Sequence, residues 1–515
     1  HGTAMSSLIV HGDLSDEEPP LSRPVYVRPI MKPIPWIRSP RPEQIPAEIL
    51  VVDHIHRSVR RMFEGEGTTD PSAPTIRIIN LSIGDPCQQF VQVMSPLARL
   101  LDWLSVKYRV LFVVSAGNHD RDIDTGVTKE EFSGLSDREK EALVVKALYG
   151  DARHRKLLSP AETINGITVG ALHHDPSAVS EINHAVNLFE NILPSPISAF
   201  GGGYRRAIKP DLLFNGGRVL YTELLGTITD ARFEARHLRI APGNKVASPS
   251  TSAGDLNKVV YCCGTSNATA FISRMAAVYH DSLVDIFDEQ APDIELSSYV
   301  TPLLKAMIVH GCSWGEISAR LQEILQTPDN VRHIRHRISQ WLGYGVPDSS
   351  RVLSCTEQRA TLLGFGQLND KEAHLFNLPL PPALGARRDW RRLTVTVAWL
   401  SPLAASTQRY RTASLSFEVE GGRLVPDRQD ADYRAVRRGT VQHEVFEGER
   451  AVPLTDGDSL TIKVNCRKDA ARMQEPVAYG LAVSLEVAEG IDIAIYDEIR
   501  TRIASAVEIR TGERH

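Results

Sequence analysis

Three short segments of this 515-residue chain hold residue types suited to nucleophilic chemistry. The first is HGTAMSS at residues 1–7, where the imidazole of His1 precedes small residues. Small residues let a helix lie close against a neighbouring strand. The second is SAGN at residues 115–118, which ends the apolar run VLFVV. In open α/β sheets ligands bind beyond the carboxyl ends of the strands, so an Asn118 amide there points a hydrogen-bond donor into a cleft. The plainer reading of Asn118 is a tight turn. The third is GTSNATA at residues 264–270, leading into a helix with Phe271, Met275 and Val278 on its apolar face. Ser266 then reads either as an N-cap or as a nucleophile, because a helix N-terminus favours developing negative charge.

Other polar residues were weighed against these. His173, His174 and Asp175 read as a solvated loop after a strand rather than a metal site. His54 and His56 share a helix with Arg57, Arg60 and Arg61, which reads as an exposed charged face. His119 follows Asn118 and is a candidate substrate contact. The six cysteines lack a C-x-x-C spacing, so neither zinc nor a disulfide framework is expected. Cys262 and Cys263 read as packed thiols, and no metal site is expected.

The elements that must position these groups follow from hydrophobic pattern. Over residues 1–350 short apolar runs alternate with helical stretches, which predicts a parallel sheet flanked by helices. Strands are expected at 75–82, 110–115 and 167–172, and helices at 46–63, 94–108 and 303–310. Unbroken apolar runs suit strands buried on both faces. From about Val352 short strands recur without helices between them: LTVTVAW, ASLSFEV, LTIKV and AYGLAVSLEV. That spacing predicts an antiparallel β-sandwich. In LTVTVAW, Leu393, Val395 and Val397 alternate with Thr394, Thr396 and Ala398. Pro-rich stretches at 18–46 and 377–384 read as irregular or connecting chain.

Composition bounds the function classes. With 58 Lys and Arg against 63 Asp and Glu, the net charge is −5, which leaves no basic footprint for nucleic acid. Apolar content of 42% and charged content of 23% are those of a globular protein, not a disordered tail or a coiled coil. No apolar run reaches membrane-spanning length, so no membrane partner is expected. The sequence begins at His1 rather than Met, so a preceding segment is expected, including any signal or pro-segment. Few cysteines and no visible export signal lean toward a cytoplasmic chain.

The three segments, in this order, resemble the subtilase family of serine peptidases. Its motifs are an HGT histidine, an SAGN asparagine and a GTSxAxP serine. NLSIG at residues 80–84, KPDL at 209–212, ITVGA at 167–171 and GYG at 343–345 resemble further parts of its domain. The resemblance implies a subtilisin-like peptidase domain over 1–355, with a helical insertion at about 120–160. A jelly-roll-like β-sandwich domain would cover 356–515. It implies a serine endopeptidase acting on protein or peptide substrates, with Ser266 as nucleophile, His1 as general base and Asn118 as oxyanion donor. Ser82, Ile83 and Gly84 would pair with substrate backbone, and Ser115, Ala116 and Gly117 would line the opposite side of the cleft. No cofactor is implied beyond the calcium that such enzymes often bind, and no calcium loop stands out. No regulatory partner is identified.

The sequence departs from the family at several points. The acid of a Ser-His-Asp triad precedes the His in family order, and no Asp precedes His1. Asp124 in DTG has the right form but lies in a polar loop after the His. The 515 residues alone are therefore expected to be impaired. Ala270 and Arg274 stand where the family usually has Pro and Gly. The rival readings are a pseudoprotease that binds polypeptide without cleaving it, and an esterase. The absence of a G-x-S-x-G elbow speaks against the esterase.

Overall fold

The computed structural model describes residues 1–34, 43–178, 182–225, 229–250, 252–379, 390–404, 407, 409–420, 427–431, 433–448, 459–488 and 510–511. The chain forms two compact units. The first comprises His1–Tyr204, Lys209–Val278 and Gly315–Leu342; the second comprises Arg205–Ile208, Tyr279–Trp314 and Gly343–His515.

In the first unit four parallel strands lie side by side in chain order: β1 (Ile78–Leu81), β2 (Leu111–Ser115), β3 (Ile167–Leu172) and β4 (Leu212–Asn215). Helices of this unit include α1 (Gly2–His11), α2 (Val51–Phe63), α3 (Pro96–Tyr108), α4 (Asp137–Gly150) and the first part of α5 (Thr265–Gln290). Ile55 and Val59 of α2, with Leu97, Leu101 and Leu104 of α3, pack on Leu81, Phe112 and Val114. Neighbouring strand residues point to opposite faces. On the other face Asn80 Nδ2 donates to Ser273 Oγ of α5 at 3.0 Å, and the Phe214 and Phe271 rings lie 5.7 Å apart. The sheet is thus covered on both sides, which is why every residue of β2 is buried. Each such aliphatic side chain contributes roughly 1.5–3 kcal/mol.

The helices begin later than the apolar pattern alone predicts. α3 starts at Pro96 because Ser95 caps it, its Oγ accepting the Ala98 N–H at 3.1 Å, and proline suits the first helical position. Leu50 is extended, so α2 starts at Val51. The KPDL stretch stitches β3 to β4: Asp211 accepts the Thr168 N–H at 2.6 Å and pairs with Lys209.

The insertion at about 120–160 folds onto this unit. Strands Ile123–Thr128, Asp230–Arg236 and Leu220–Glu223 form a three-stranded antiparallel sheet. α4 opens with a capping box between Ser136 and Glu139. Its buried face is Glu141, Val144, Val145 and Leu148. The face is turned by Glu141, which is buried and pairs with Arg320 at 2.9 Å. α4 is therefore a packed helix.

The second unit contains a five-stranded and a four-stranded antiparallel sheet. Val395, Val397 and Leu481 of the first and Leu415, Leu460, Ile462 and Val464 of the second belong to one apolar core. Thr394, Thr396 and Ala398 are buried too, which the alternating pattern did not predict. The reason is α6 (Val300–His310), buried at every residue. His310 bonds Thr396 Oγ1 at 2.9 Å and Ser484 Oγ at 2.7 Å, on the strands Arg391–Trp399 and Val477–Val487. Gly480 admits the helix, since a Cβ there would stand 2.7 Å from the Leu303 Cα. The sequence reading placed this helix near the end of the first domain; it groups with the second unit. The Pro-rich stretches lie partly outside the described residues, over 35–42 and 380–384.

Candidate active site

The start of α5 and the end of β2 meet. Asn118 Oδ1 accepts the Thr265 N–H at 2.9 Å and the Thr265 hydroxyl at 3.0 Å. The Thr265 Oγ1 also accepts the Gly117 N–H at 3.3 Å. With its oxygen held, the Asn118 carboxamide turns Nδ2 toward Gly264, where an added Cβ would stand 2.9 Å from that nitrogen. Gly264 has a φ of +140°, so glycine is needed there twice over. Ser266 follows in the first turn of α5 and is half-buried. Among the described residues neither the Asn118 Nδ2 nor the Ser266 hydroxyl makes a hydrogen bond.

His1 stands at the N-cap of α1 and is exposed; its α-ammonium pairs with Glu43 at 3.0 Å. α1 is tied to α5 in three ways. Met5 and Leu8 share an apolar cluster with Ala270 and with Val246 of β5 (Asn244–Ala247), which pairs with β6 (Val259–Cys262). Arg274 Nη1 donates to the last carbonyls of α1, Val10 at 2.6 Å and Ile9 at 3.3 Å. A buried polar chain runs behind both helices: Asp13 accepts Asn244 Nδ2 at 2.9 Å, and Asn244 Oδ1 accepts Asn267 Nδ2 at 3.0 Å. The helix led by His1 is thus packed on the helix that carries Ser266. Among the described residues the His1 imidazole has no hydrogen bond, to Ser266 or to any carboxylate. Sequence reasoning missed Asp13, Asn244, Thr265 and Asn267, although Thr265 and Asn267 flank the singled-out serine.

The flanking segments also come together. Ser82 Oγ donates to Asn80 Oδ1 at 2.9 Å and to the Ser266 carbonyl at 3.4 Å. Ser115 Oγ donates to the Ile83 carbonyl at 3.3 Å. β1 ends at Leu81, so Ser82, Ile83 and Gly84 lie past the strand, with Gly84 exposed. Ser115, Ala116 and Gly117 are buried. The main-chain groups of Ala116 and Gly117 are spent on Val169, Leu158, Thr265 and Ala199. Leu158 separates the two segments: a Cβ on Gly84 would meet its Cβ at 3.2 Å, and one on Gly117 its Cγ at 2.5 Å.

Several other residues read differently in the structure. His119 is buried, and its Nε2 lies 2.7 Å from the Lys156 carbonyl, so its place is structural. His173 and Asp175 are buried rather than solvated. Burial holds the His173 imidazole down to about 4, and Asp175 pairs with Arg218 at 2.9 Å. His54 and His56 are half-buried, on the Ile30 carbonyl and the Trp103 ring. Asp124 is exposed and pairs with Arg232 at 2.8 Å. Among the described residues no three His, Cys, Asp or Glu side chains gather as a metal cluster, and no helix is long and apolar enough to cross a membrane.

A parallel sheet clothed by helices, with a serine in the first turn of a long helix and a carboxamide beside it, makes the first unit an α/β unit. The chain belongs to the subtilase family of serine peptidases, whose family model matches residues 1–315. An uncharacterized protein, y4bN of Sinorhizobium fredii, is 20% identical over 83% of this chain and 95% of its own length. Among solved structures, the prenylagaramide maturation protease PagA is 14% identical, with a TM-score of 0.29 over 58% of this chain and 66% of that one. The patellamide maturation protease PatA is 15% identical, with a TM-score of 0.29 over 58% of this chain and 66% of that one. This chain spans just under two thirds of both.

Proposed function

We propose that this chain is a serine endopeptidase with Ser266 as nucleophile, His1 as general base and Asn118 as oxyanion donor. Ser266 Oγ attacks a peptide carbonyl carbon while the His1 imidazole takes its proton. The oxygen that becomes anionic is met by Asn118 Nδ2 and by the N–H of Ser266 at the positive end of α5. His1 returns the proton to the leaving amine, and water then hydrolyses the acyl-enzyme. Ser82, Ile83 and Gly84 offer main-chain groups to an extended substrate, which selects polypeptide as the substrate class. Ser115, Ala116 and Gly117 form the opposite wall.

The observation that carries this reading is the locked Asn118. Its oxygen is held by Thr265, its nitrogen is unspent, and the unpartnered Ser266 hydroxyl is one residue away. Among the described residues the His1 imidazole has no carboxylate partner. Loss of that partner costs about 10⁴-fold in kcat, so a polypeptide of these 515 residues alone turns over slowly. We read residues 356–515 as a jelly-roll-like β-sandwich appended to a peptidase domain over 1–355.

The test is peptide hydrolysis by the chain expressed with its upstream coding sequence, against the same protein carrying Ser266→Ala. Turnover abolished by the substitution supports the enzyme. Peptide binding without turnover in either protein supports the pseudoprotease.

A further inference from the structure

Beside the candidate active site, and not used by it, three side chains from separate loops line up. Asp120 lies two residues past Asn118, His237 follows the strand Asp230–Arg236, and Cys263 lies between β6 and Gly264. His237 Nε2 stands 2.8 Å from Asp120 Oδ1, and its Nδ1 stands 3.9 Å from Cys263 Sγ. The imidazole is therefore held between a carboxylate and a thiol. Asp120 and His237 are exposed and Cys263 is partly so. Gly217 backs the thiol, since a Cβ there would stand 3.1 Å from the Cys263 Cβ.

We propose that Cys263 is a nucleophilic modification site for small electrophiles and peroxides, with His237 as its counter-ion and Asp120 as the residue that positions His237. An imidazolium beside a thiol stabilises the thiolate, which is the reactive form. The Asp120 carboxylate and the thiol together push His237 up to about 10, so it is charged at neutral pH. Among the described residues the neighbouring cysteine lacks an imidazole beside it, and burial pushes the Cys262 thiol up to about 12. With a peroxide, the Cys263 sulfur attacks one oxygen, an S–O bond forms and the O–O bond breaks. The sulfur is oxidised to a sulfenic acid, the peroxide is reduced, and the departing hydroxide takes the His237 proton to leave as water. With an alkyl iodide, an S–C bond forms and iodide leaves. Because Gly264 lies against Asn118, an adduct on Cys263 sits one residue from the oxyanion amide.

The chain carries its own controls, for Cys87 and Cys355 are free and exposed. The folded protein is treated with limiting iodoacetamide at neutral pH, and the rate at each cysteine is read by peptide mass spectrometry. Cys263 is expected to react about tenfold faster than Cys87 and Cys355. His237→Asn brings it to their rate, and Asp120→Asn gives an intermediate rate. The circular dichroism of each variant is checked against the parent. Ser266→Ala leaves the Cys263 rate unchanged, which separates this proposal from the peptidase reading. A Cys263 rate no higher than that of Cys87 and Cys355, or one unmoved by His237→Asn in a folded protein, overturns it.

Discussion

Asn118 and Thr265 are locked together by two hydrogen bonds, from the Thr265 N–H at 2.9 Å and its hydroxyl at 3.0 Å, both to Asn118 Oδ1. The two donors together fix which way the carboxamide faces. Asn118→Ala removes the donor and should lower kcat by about 10²–10³ with little change in KM, a magnitude that comes from a member of this family. Thr265→Val keeps the donor and one of the two bonds that orient it, so its kcat should fall less than that of Asn118→Ala. Steady-state kinetics on a peptide substrate check the order of the two.

Arg274 is the family departure with the clearest structural consequence. Its guanidinium donates to the Ile9, Val10 and Pro19 carbonyls and pairs with Glu18 at 3.2 Å. These are charge-assisted bonds at a helix C-terminus, where a cation is favoured. Arg274→Ala should lower stability by about 1–3 kcal/mol in urea unfolding. Arg274→Lys should recover only part of it, since one ammonium cannot span these carbonyls.

Gly117 and Leu158 form a steric pair. A side chain on Gly117 would stand 2.5 Å from Leu158 Cγ, and its φ of +107° adds backbone strain. Gly117→Ala should cost about 1–3 kcal/mol. Leu158→Ala should cost about 2–5 kcal/mol on its own, yet make Gly117→Ala milder in the double mutant. If the two walls hold substrate between them, Leu158→Ala also shifts kcat/KM toward peptides with larger side chains at the cleavage site.

Acid should destabilise the fold through buried histidines. His173 titrates at about 4 in the folded protein against 6.5 ordinarily, because burial disfavours its charged form. The unfolded chain therefore takes up the proton first. Stability from this group is fully present above pH 6.5 and is lost as the pH falls toward 4, by up to about 3 kcal/mol. His443, held down to about 3, acts in the same direction. His237 acts in the opposite direction: raised to about 10, its contribution is complete below pH 6.5 and is lost as the pH rises through 10. Urea midpoints across pH 4–8 should fall on the acid side, and His173→Gln should flatten that fall.

Much of the sheet was legible because its signal is dense. The run LFVVS is buried at every residue, as strands covered on both faces must be, and Ile167–Leu172 has the bounds its pattern predicts. The motif residues were legible because Gly, Ser and Asn at fixed offsets answer local backbone demands, as Gly264 does beside Asn118. What escaped was set by distant partners. Glu141 turned the face of α4 because Arg320 meets it from 179 residues away. Asp13, Asn244 and Asn267 form one buried chain across three separate segments. His173 looked solvated because nothing nearby in sequence shows that Asn187 and Phe189 cover it. The burial of Thr396 depends on α6, which lies 86 residues earlier at His310.

The most direct test of the central claim is covalent labelling. The chain with its upstream coding sequence is treated with a fluorophosphonate, and the adduct is located by peptide mass spectrometry. The account predicts phosphonylation at Ser266, absent in Ser266→Ala and slowed by His1→Ala and Asn118→Ala. A folded, peptide-binding protein that takes no label at Ser266, or takes it at the same rate without His1, would contradict it.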